Sequence, residues 1–243
     1  MFSIIIPIKN QFEIVKQCLD SILRHCYEQE VILVDDGSDE EETIRLLRDY
    51  SKIYKWKLIR NEKSVNHSVA CEMGIEKSSN QNLFLLNSDT IITKNSLQIL
   101  SDVLDKNIDI AVVGPSTSSA SGEQQIEQLF LKRFEMTIQE IDEIAISLLD
   151  NNQIKDIKLV NGFCFGIKKT IFQNVRGFDS NLNCYGNEQE LLIRIRKEKY
   201  RTVHVCNSYV HHLGKMSFKS NLNIGVAIRD ASKYILKKHG VLN

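Results

Sequence analysis

The sequence predicts an α/β fold with a mostly parallel sheet and helices on both faces. Three observations lead there. Short β-branched runs alternate with amphipathic segments of helical spacing through the first half of the 243-residue chain. Hydrophobic residues make up 42% of it, enough for a substantial buried core. Polar residues gather just past the ends of the apolar runs, where open α/β sheets bind ligands.

The elements follow in order. Ser3–Ile8 is a β-branched run read as a buried strand. Phe12–Cys26 carries Val15, Leu19, Ile22, Leu23 and Cys26 at helical spacing. Val31–Val34 is a second strand, ending in Asp35-Asp36-Gly37-Ser38. Asp39–Tyr50 is a helix whose acidic first turn suits the helix dipole. Trp56–Arg60 is a strand. Val65–Lys77 is a helix whose spacing puts Val65, Val69 and Met73 on one face. Leu83–Leu86 is a fourth strand, followed at once by Asn87-Ser88-Asp89-Thr90. Asn95–Leu104 is a helix and Ile110–Val113 a strand. Strands joined through helices of this length pair in parallel.

The second half is less regular. Pro115–Gly122 is Ser/Thr-rich and reads as a loop; it or the stretch Gln124–Phe134 is placed to close over a donor and exclude water, and Ile138–Asp150 is a helix. Asn161–Ile167 is a turn plus strand, Gly177-Phe178-Asp179 a turn and Glu188–Lys199 a helix. Thr202–Cys206 and Tyr209–His212 are short strands, and Ile224–His239 is a basic amphipathic helix.

Composition narrows the function. Lys+Arg and Asp+Glu both total 31, so the basic excess of a nucleic-acid binder is missing. The six cysteines include no C-x-x-C pair, and reduced thiols in a cytoplasmic protein are the simplest reading. The opening MFSIIIPIKN is too short and lacks the basic lead of a signal peptide. No stretch approaches the ~20 apolar residues of a membrane span. A cytoplasmic location is expected.

Four places carry residues suited to chemistry. Asp36, with Asp35 beside it, sits on a strand-to-helix turn where a carboxylate accepts from a nucleobase or ribose; the simpler reading is a capped turn. Asp89, after Asn87 and Ser88, is an oxygen ligand suited to a divalent cation, or again a turn residue. Glu188 starts a helix and suits a general base, or merely complements the dipole. Glu190 stands four before Arg194 and suits an i,i+4 pair. His211 and His212 end a strand, as metal ligands or as half-buried polar residues.

Singly these signals are modest; their order is specific. Ser3-Ile4-Ile5-Ile6-Pro7-Ile8-Lys9-Asn10, the Asp35–Ser38 turn and Leu85-Leu86-Asn87-Ser88-Asp89-Thr90 together resemble the inverting glycosyltransferase family 2, of the GT-A fold. The likeness continues through Val113-Gly114-Pro115-Ser116, Asn161-Gly162-Phe163-Cys164, Gly177-Phe178-Asp179, Tyr185–Leu191 and Tyr209–Phe218. It covers about Phe2 to Phe218 and is nearest to members that build bacterial surface polysaccharides.

The resemblance implies a Rossmann-like nucleotide-diphospho-sugar transferase fold over residues 1–218, with a nucleotide-sugar half at 1–114, an acceptor and catalytic half at 115–218, and a helical tail at 219–243. It implies that Pro7, Asn10, Asp35, Asp36, Asn87, Ser88 and Asp89 lie at the nucleotide. Asp89 and His212 would hold Mn2+ or Mg2+, Glu188 would be the catalytic base, and Glu190, His211 and Ser217 would stand nearby. The chain departs from the pattern at Asn87 and Asn187, which replace acids, and at Glu72, where an Asn is frequent; the usual Gly of Asn61–Gly74 is also missing. The implied activity is metal-dependent, inverting transfer from a UDP- or dTDP-sugar to a glycan or lipid-linked glycan.

The rival from another class is an inactive GT-A-like module that binds nucleotide or glycan. A sugar-nucleotide-forming nucleotidyltransferase would want a basic Gly-rich loop near the N-terminus. A hydride-transferring enzyme would want G-x-G-x-x-G after the first strand. Neither is present. The tail residues Lys233, Lys237, Lys238 and His239 offer contact with the inner face of an anionic membrane, a solvated helix face being the simpler reading.

Overall fold

The computed structural model describes residues 1–182, 185–214 and 224–240. β1 (Phe2–Ile8), α1 (Phe12–Cys26), β2 (Glu30–Asp35), α2 (Glu41–Tyr54), β3 (Lys57–Arg60), α3 (His67–Lys77) and β4 (Asn82–Leu86) alternate as expected. β5 (Thr90–Ile92), α4 (Ser96–Lys106) and β6 (Ile110–Ser116) come next. A 3-10 turn (Gly122–Gln124), α5 (Glu127–Phe130), α6 (Ile138–Leu148), β7 (Ile154–Asp156), β8 (Cys164–Lys168) and α7 (Lys169–Asn174) follow. α8 (Asn187–Lys197), β9 (Arg201–His212) and α9 (Ile224–His239) complete the order.

The strands lie in the order β3-β2-β1-β4-β8-β6-β9-β5, with β7 on β9. β3, β2, β1 and β4 are parallel. β8 then runs against both β4 and β6. β6 and β9 are parallel, and β5 and β7 run against β9. The parallel expectation thus describes the first half, and the second half is mixed.

Period-2 alternation along the strands feeds two cores. Ile4, Ile6 and Ile8 of β1 face Leu19, Leu47 and Leu100 from α1, α2 and α4. Ile5 faces the other way, into a core shared with Cys71, Phe172 and Leu191 from α3, α7 and α8. Helices therefore cover both faces.

Two details differ from the sequence expectation. α3 does not bury Val65, Val69 and Met73; Val65 and Val69 are exposed, and the buried face is Ser68, Ala70, Cys71, Gly74 and Ile75. The reason is close packing: a Cβ on Gly74 would overlap Ile5 of β1, so the small-residue face meets the sheet. Thr202–His212 is one strand rather than two. Val205 pairs with Pro115 and Tyr209 with Ser116, so residues 206–208 form an irregularity opposite one β6 step. The five described cysteines are free thiols.

Candidate active site

Register brings the ends of β1, β2 and β4 to one rim: Ile8 lies beside Asp35, and Ile5 beside Leu85. Asp36 follows β2 there, 6% exposed. Its carboxylate accepts from Asn61 Nδ2 at 3.1 Å, Ser64 Oγ at 2.6 Å and Val65 N at 2.8 Å. Three acceptances leave one of about four lone-pair positions for a ligand. Gly37 permits the turn: its φ is +72°, and a Cβ would stand 2.8 Å from Ser64 N.

Three expected nucleotide residues prove to have structural work. Asp35 is buried at 1% exposure, accepts from Ser38 N at 2.9 Å and is ion-paired to Arg60. It faces the turn and β3, not the open rim. Asn10 Oδ1 accepts from Asp39 N at 3.0 Å and Glu40 N at 3.1 Å, and its Nδ2 donates to Asp39 Oδ1 at 2.6 Å. That clasp joins the end of β1 to the start of α2. Pro7 is enclosed within β1, opposite Val34.

Asn87, Ser88 and Asp89 form the step from β4 into β5. Asn87 N donates to Phe163 O at 2.9 Å, and Thr90 Oγ1 donates to Asn87 O at 2.7 Å. Asp89 and Ser88 are 2% and 7% exposed. Thr90 pairs with His212 across β5 and β9, which sets His212 Nε2 3.3 Å from Asp89 Oδ1. His212 stacks on Phe163 with ring centroids 5.0 Å apart.

The His212 tautomer follows from its other nitrogen. Nδ1 lies 2.6 Å from the Ser119 carbonyl, which only accepts, so Nδ1 carries hydrogen. In the neutral ring Nε2 then presents a lone pair to a carboxylate oxygen. Two such atoms attract only through positive charge, a proton or a metal cation. One carboxylate oxygen and one imidazole nitrogen suit Mn2+ or Mg2+. Among the described residues no group of three or more His, Cys, Asp or Glu could hold a metal ion.

His211 is turned away from it, because neighbours on a strand point to opposite faces. Its Nε2 donates to Arg133 O at 2.8 Å, its Nδ1 accepts from Tyr209 Oη at 2.9 Å, and burial pushes its pKa down to about 4. It holds the 126–149 region against β9 and is not a site residue. The Ser/Thr-rich segment is no free lid either. Thr117 bonds Gln124 and Ile126, Ser118 bonds the His212 backbone, and Asn161 donates to Ser121 O at 2.9 Å. Ser217 lies outside the described residues.

Glu188 stands in the first turn of α8, its carboxylate against the backbone of Gly162, where a Cβ would overlap Oε1. It lines a cavity of about 280 Å³. Asn187 beside it is 3% exposed, and among the described residues neither polar atom of its amide meets a hydrogen-bond partner. Glu190 is fully buried and lies outside the cavity lining. It accepts from Arg194 Nε at 2.8 Å, Lys238 Nζ at 2.7 Å and His239 Nε2 at 2.9 Å. The pair with Arg194 expected at the surface is thus an internal hub that ties α9 to α8.

One residue of the site escaped the sequence reading. His67, first in α3, has its pKa pushed down by burial and held up by the negative charges of Glu188, Asp36 and Asp89. Three acidic groups from three segments therefore act electrostatically on one imidazole. The available signal was position: Asn66-His67 opens a helix on the carboxyl rim, and Asn66 takes φ +88°, where a Gly would be usual.

Solved structures share this architecture. GalNAc-T7 with UDP, GalNAc and Mn2+ superposes with a TM-score of 0.73 at 17% identity, over 98% of this chain and 47% of that one. A Pyrobaculum calidifontis mannosyltransferase with GDP-Man and Mn2+ gives 0.68 at 12%, over 89% of this chain and 58% of that one. The fold is the GT-A type. Among curated proteins, the glycosyltransferase GlyG of Streptococcus pneumoniae is 26% identical over 185 residues, 72% of this chain and 59% of that protein. The poly(ribitol-phosphate) β-N-acetylglucosaminyltransferase TarP of Staphylococcus aureus is 25% identical over 134 residues, 54% of this chain and 41% of that protein. The match thus spans less than two thirds of either curated relative, 59% of GlyG and 41% of TarP. The family model described as glycosyl transferase family 2 matches residues 3–176, the stretch that supplies Asp36, His67, Asp89 and Gly162, and the chain belongs to that family.

Proposed function

We propose that the chain transfers a sugar from a nucleoside diphosphate sugar to an acceptor hydroxyl, with inversion at the anomeric carbon and with a divalent cation. The observation that carries this is the Asp89–His212 pair, a carboxylate oxygen and an imidazole nitrogen 3.3 Å apart at the same rim as Asp36 and Glu188. Structures of the same fold hold UDP, GDP-Man and Mn2+. When bound, Mn2+ or Mg2+ supplies Lewis acidity that offsets charge on the leaving diphosphate. The chain's own residues do the rest. Asp36 offers a remaining lone pair to the base or ribose. Asp89 and His212 hold the cation's protein side. Glu188 takes the acceptor O–H proton as the oxygen attacks C1 and the nucleoside diphosphate leaves with the bonding pair. A UDP- or dTDP-sugar donor and a glycan acceptor, in bacterial surface polysaccharide synthesis in the cytoplasm, complete the proposal; in support, a structure of the same fold holds UDP and two bacterial relatives are glycosyltransferases. Among the described residues no helix is long and apolar enough to cross a membrane. Of Lys233, Lys237, Lys238 and His239, the last two are engaged with Glu190 and are not available for contact with an anionic surface.

Thermal unfolding with UDP, dTDP, GDP and CMP, each with and without Mn2+, tests the site. One nucleoside diphosphate should stabilise the protein only with metal, by about 2.7 kcal/mol at a hundredfold excess over Kd. Asp89→Ala should abolish the shift. Glu188→Gln should keep it while lowering transfer by about 10²–10⁴-fold. A flat response to every nucleotide overturns the reading, and a product with retained anomeric configuration by proton NMR overturns inversion.

A further inference from the structure

The cavity at Glu188 is walled on one side by the C-terminal helix. We propose that α9 completes the acceptor site and that the acceptor unit held there is one uncharged sugar ring, not an alditol phosphate. This rests on Glu188 being the base, as above.

The wall is a built part of the molecule. Ala231 and Ile235 pack on Leu182 and Ile193, and a Cβ on Gly186 would stand 3.1 Å from both of them. Lys238 bonds Asp179 at 2.6 Å and Glu190 at 2.7 Å, and Tyr234 Oη donates to Asp179 at 2.7 Å. α9 therefore sits in a fixed place, with Ile228, Ala231 and Ser232 toward the cavity.

The lining names the ligand's chemistry. Tyr185, Leu159 and Ile228 offer apolar surface for the C–H face of a ring, and Ser232 offers a hydroxyl for its hydroxyls. Glu188 is the charged residue of the lining; among the described residues it includes no Lys, Arg or His. A phosphate there would face a carboxylate with no cation to offset it. The volume, about 280 Å³, is just under the range of small-ligand clefts and suits a single ring. In the step this serves, the ring's hydroxyl proton passes to Glu188, the new C1–O bond forms, and the C1–O(phosphate) bond breaks with its pair leaving on the diphosphate.

Saturation-transfer NMR on the full chain tests it, with UDP and Mn2+ present and absent. The probes are methyl β-D-glucopyranoside, methyl N-acetyl-β-D-glucosaminide, ribitol 5-phosphate and glycerol 3-phosphate. A glycoside should receive saturation and the alditol phosphates should not. Ser232→Trp, which fills the α9 wall, should weaken glycoside binding by about tenfold or more, some 1.4 kcal/mol. Ile228→Trp, at an exposed position of the same wall, serves if Ser232→Trp does not fold. Equal glycoside signals in wild type and both variants, or a stronger response to the alditol phosphates, overturn the proposal. If the nucleotide stabilises the protein as expected and the glycosides fail, the acceptor site is wrong and the transferase reading stands. If the glycosides bind at α9 and no nucleotide does, the transferase reading falls instead.

Discussion

Gly162 is a glycine because of what lies against it. A Cβ there would overlap Glu188 Oε1, the end of a flexible side chain, so an alanine displaces the carboxylate rather than the backbone. Gly162→Ala is therefore expected to fold, with less than about 1 kcal/mol lost, while the transfer rate falls by about 100-fold through misplacement of the base. Unfolding midpoint and kcat measured together check this; an unchanged kcat would mean that Glu188 is not held here for catalysis. The same scale separates the two histidines of β9. Strand alternation sends His212 to Asp89 and His211 to Arg133, so adjacency in sequence says nothing of shared function. It also separates Asp36 from Asp35: the first keeps a lone pair at the rim and the second is spent on Arg60 and the turn.

At the scale of elements, α9 is where the sequence was least informative. Its amphipathy predicts a helix over Ile224–His239, and a helix forms there, but amphipathy does not say against which partner. The partner is α8, and the contact is partly ionic. Burial pushes the Glu190 pKa up, but hydrogen bonds from Arg194, Lys238 and His239 outweigh it and hold the carboxyl below its usual range. Removing one member of a buried charge set costs more than removing all, because the rest stay desolvated. Glu190→Ala should thus lower stability by about 3 kcal/mol, seen as a lower urea midpoint. Lys238→Ala, at the partly exposed end of the network, should cost about 1 kcal/mol or less. Equal and small losses in both would show that the hub contributes only placement. α3 shows a related limit: spacing sets Val65, Val69 and Met73 on one face without saying which face meets the sheet, and the sheet accepts the Ser68–Cys71–Gly74 face.

For the whole molecule, the legible part was the rim. Asp36, Asp89 and Glu188 each follow a strand end or open a helix, which made them candidates, and the family resemblance supplied their expected roles; the parallel pairing of β3, β2, β1 and β4 followed from strand–helix alternation. β5 and β7 are three residues each, too short for periodicity, and β8 is paired through contacts distant in sequence. Burial of the remaining histidines has a consequence for the fold as a unit. His204 and His211 are both buried and pushed down to about 4 from the usual 6.5. Below pH 6.5 the unfolded chain binds protons at these rings that the native protein refuses until about pH 4. Stability therefore falls as pH drops through that window, by up to about 3 kcal/mol per histidine, and levels off below it. Glu30, held down to about 2 chiefly by Lys57 and Ser3 against the opposing effect of burial, adds its own loss only at lower pH, between 4.5 and 2. Two histidines together approach the ~5–15 kcal/mol that holds a typical domain, so acid unfolding is expected between pH 4 and 5.5. Urea midpoints at half-unit steps from pH 7 to 4 check this. His211→Gln, which keeps a donor for Arg133 O but does not titrate, should remove about half of the slope; a slope unchanged in that variant would assign the acid sensitivity to other groups.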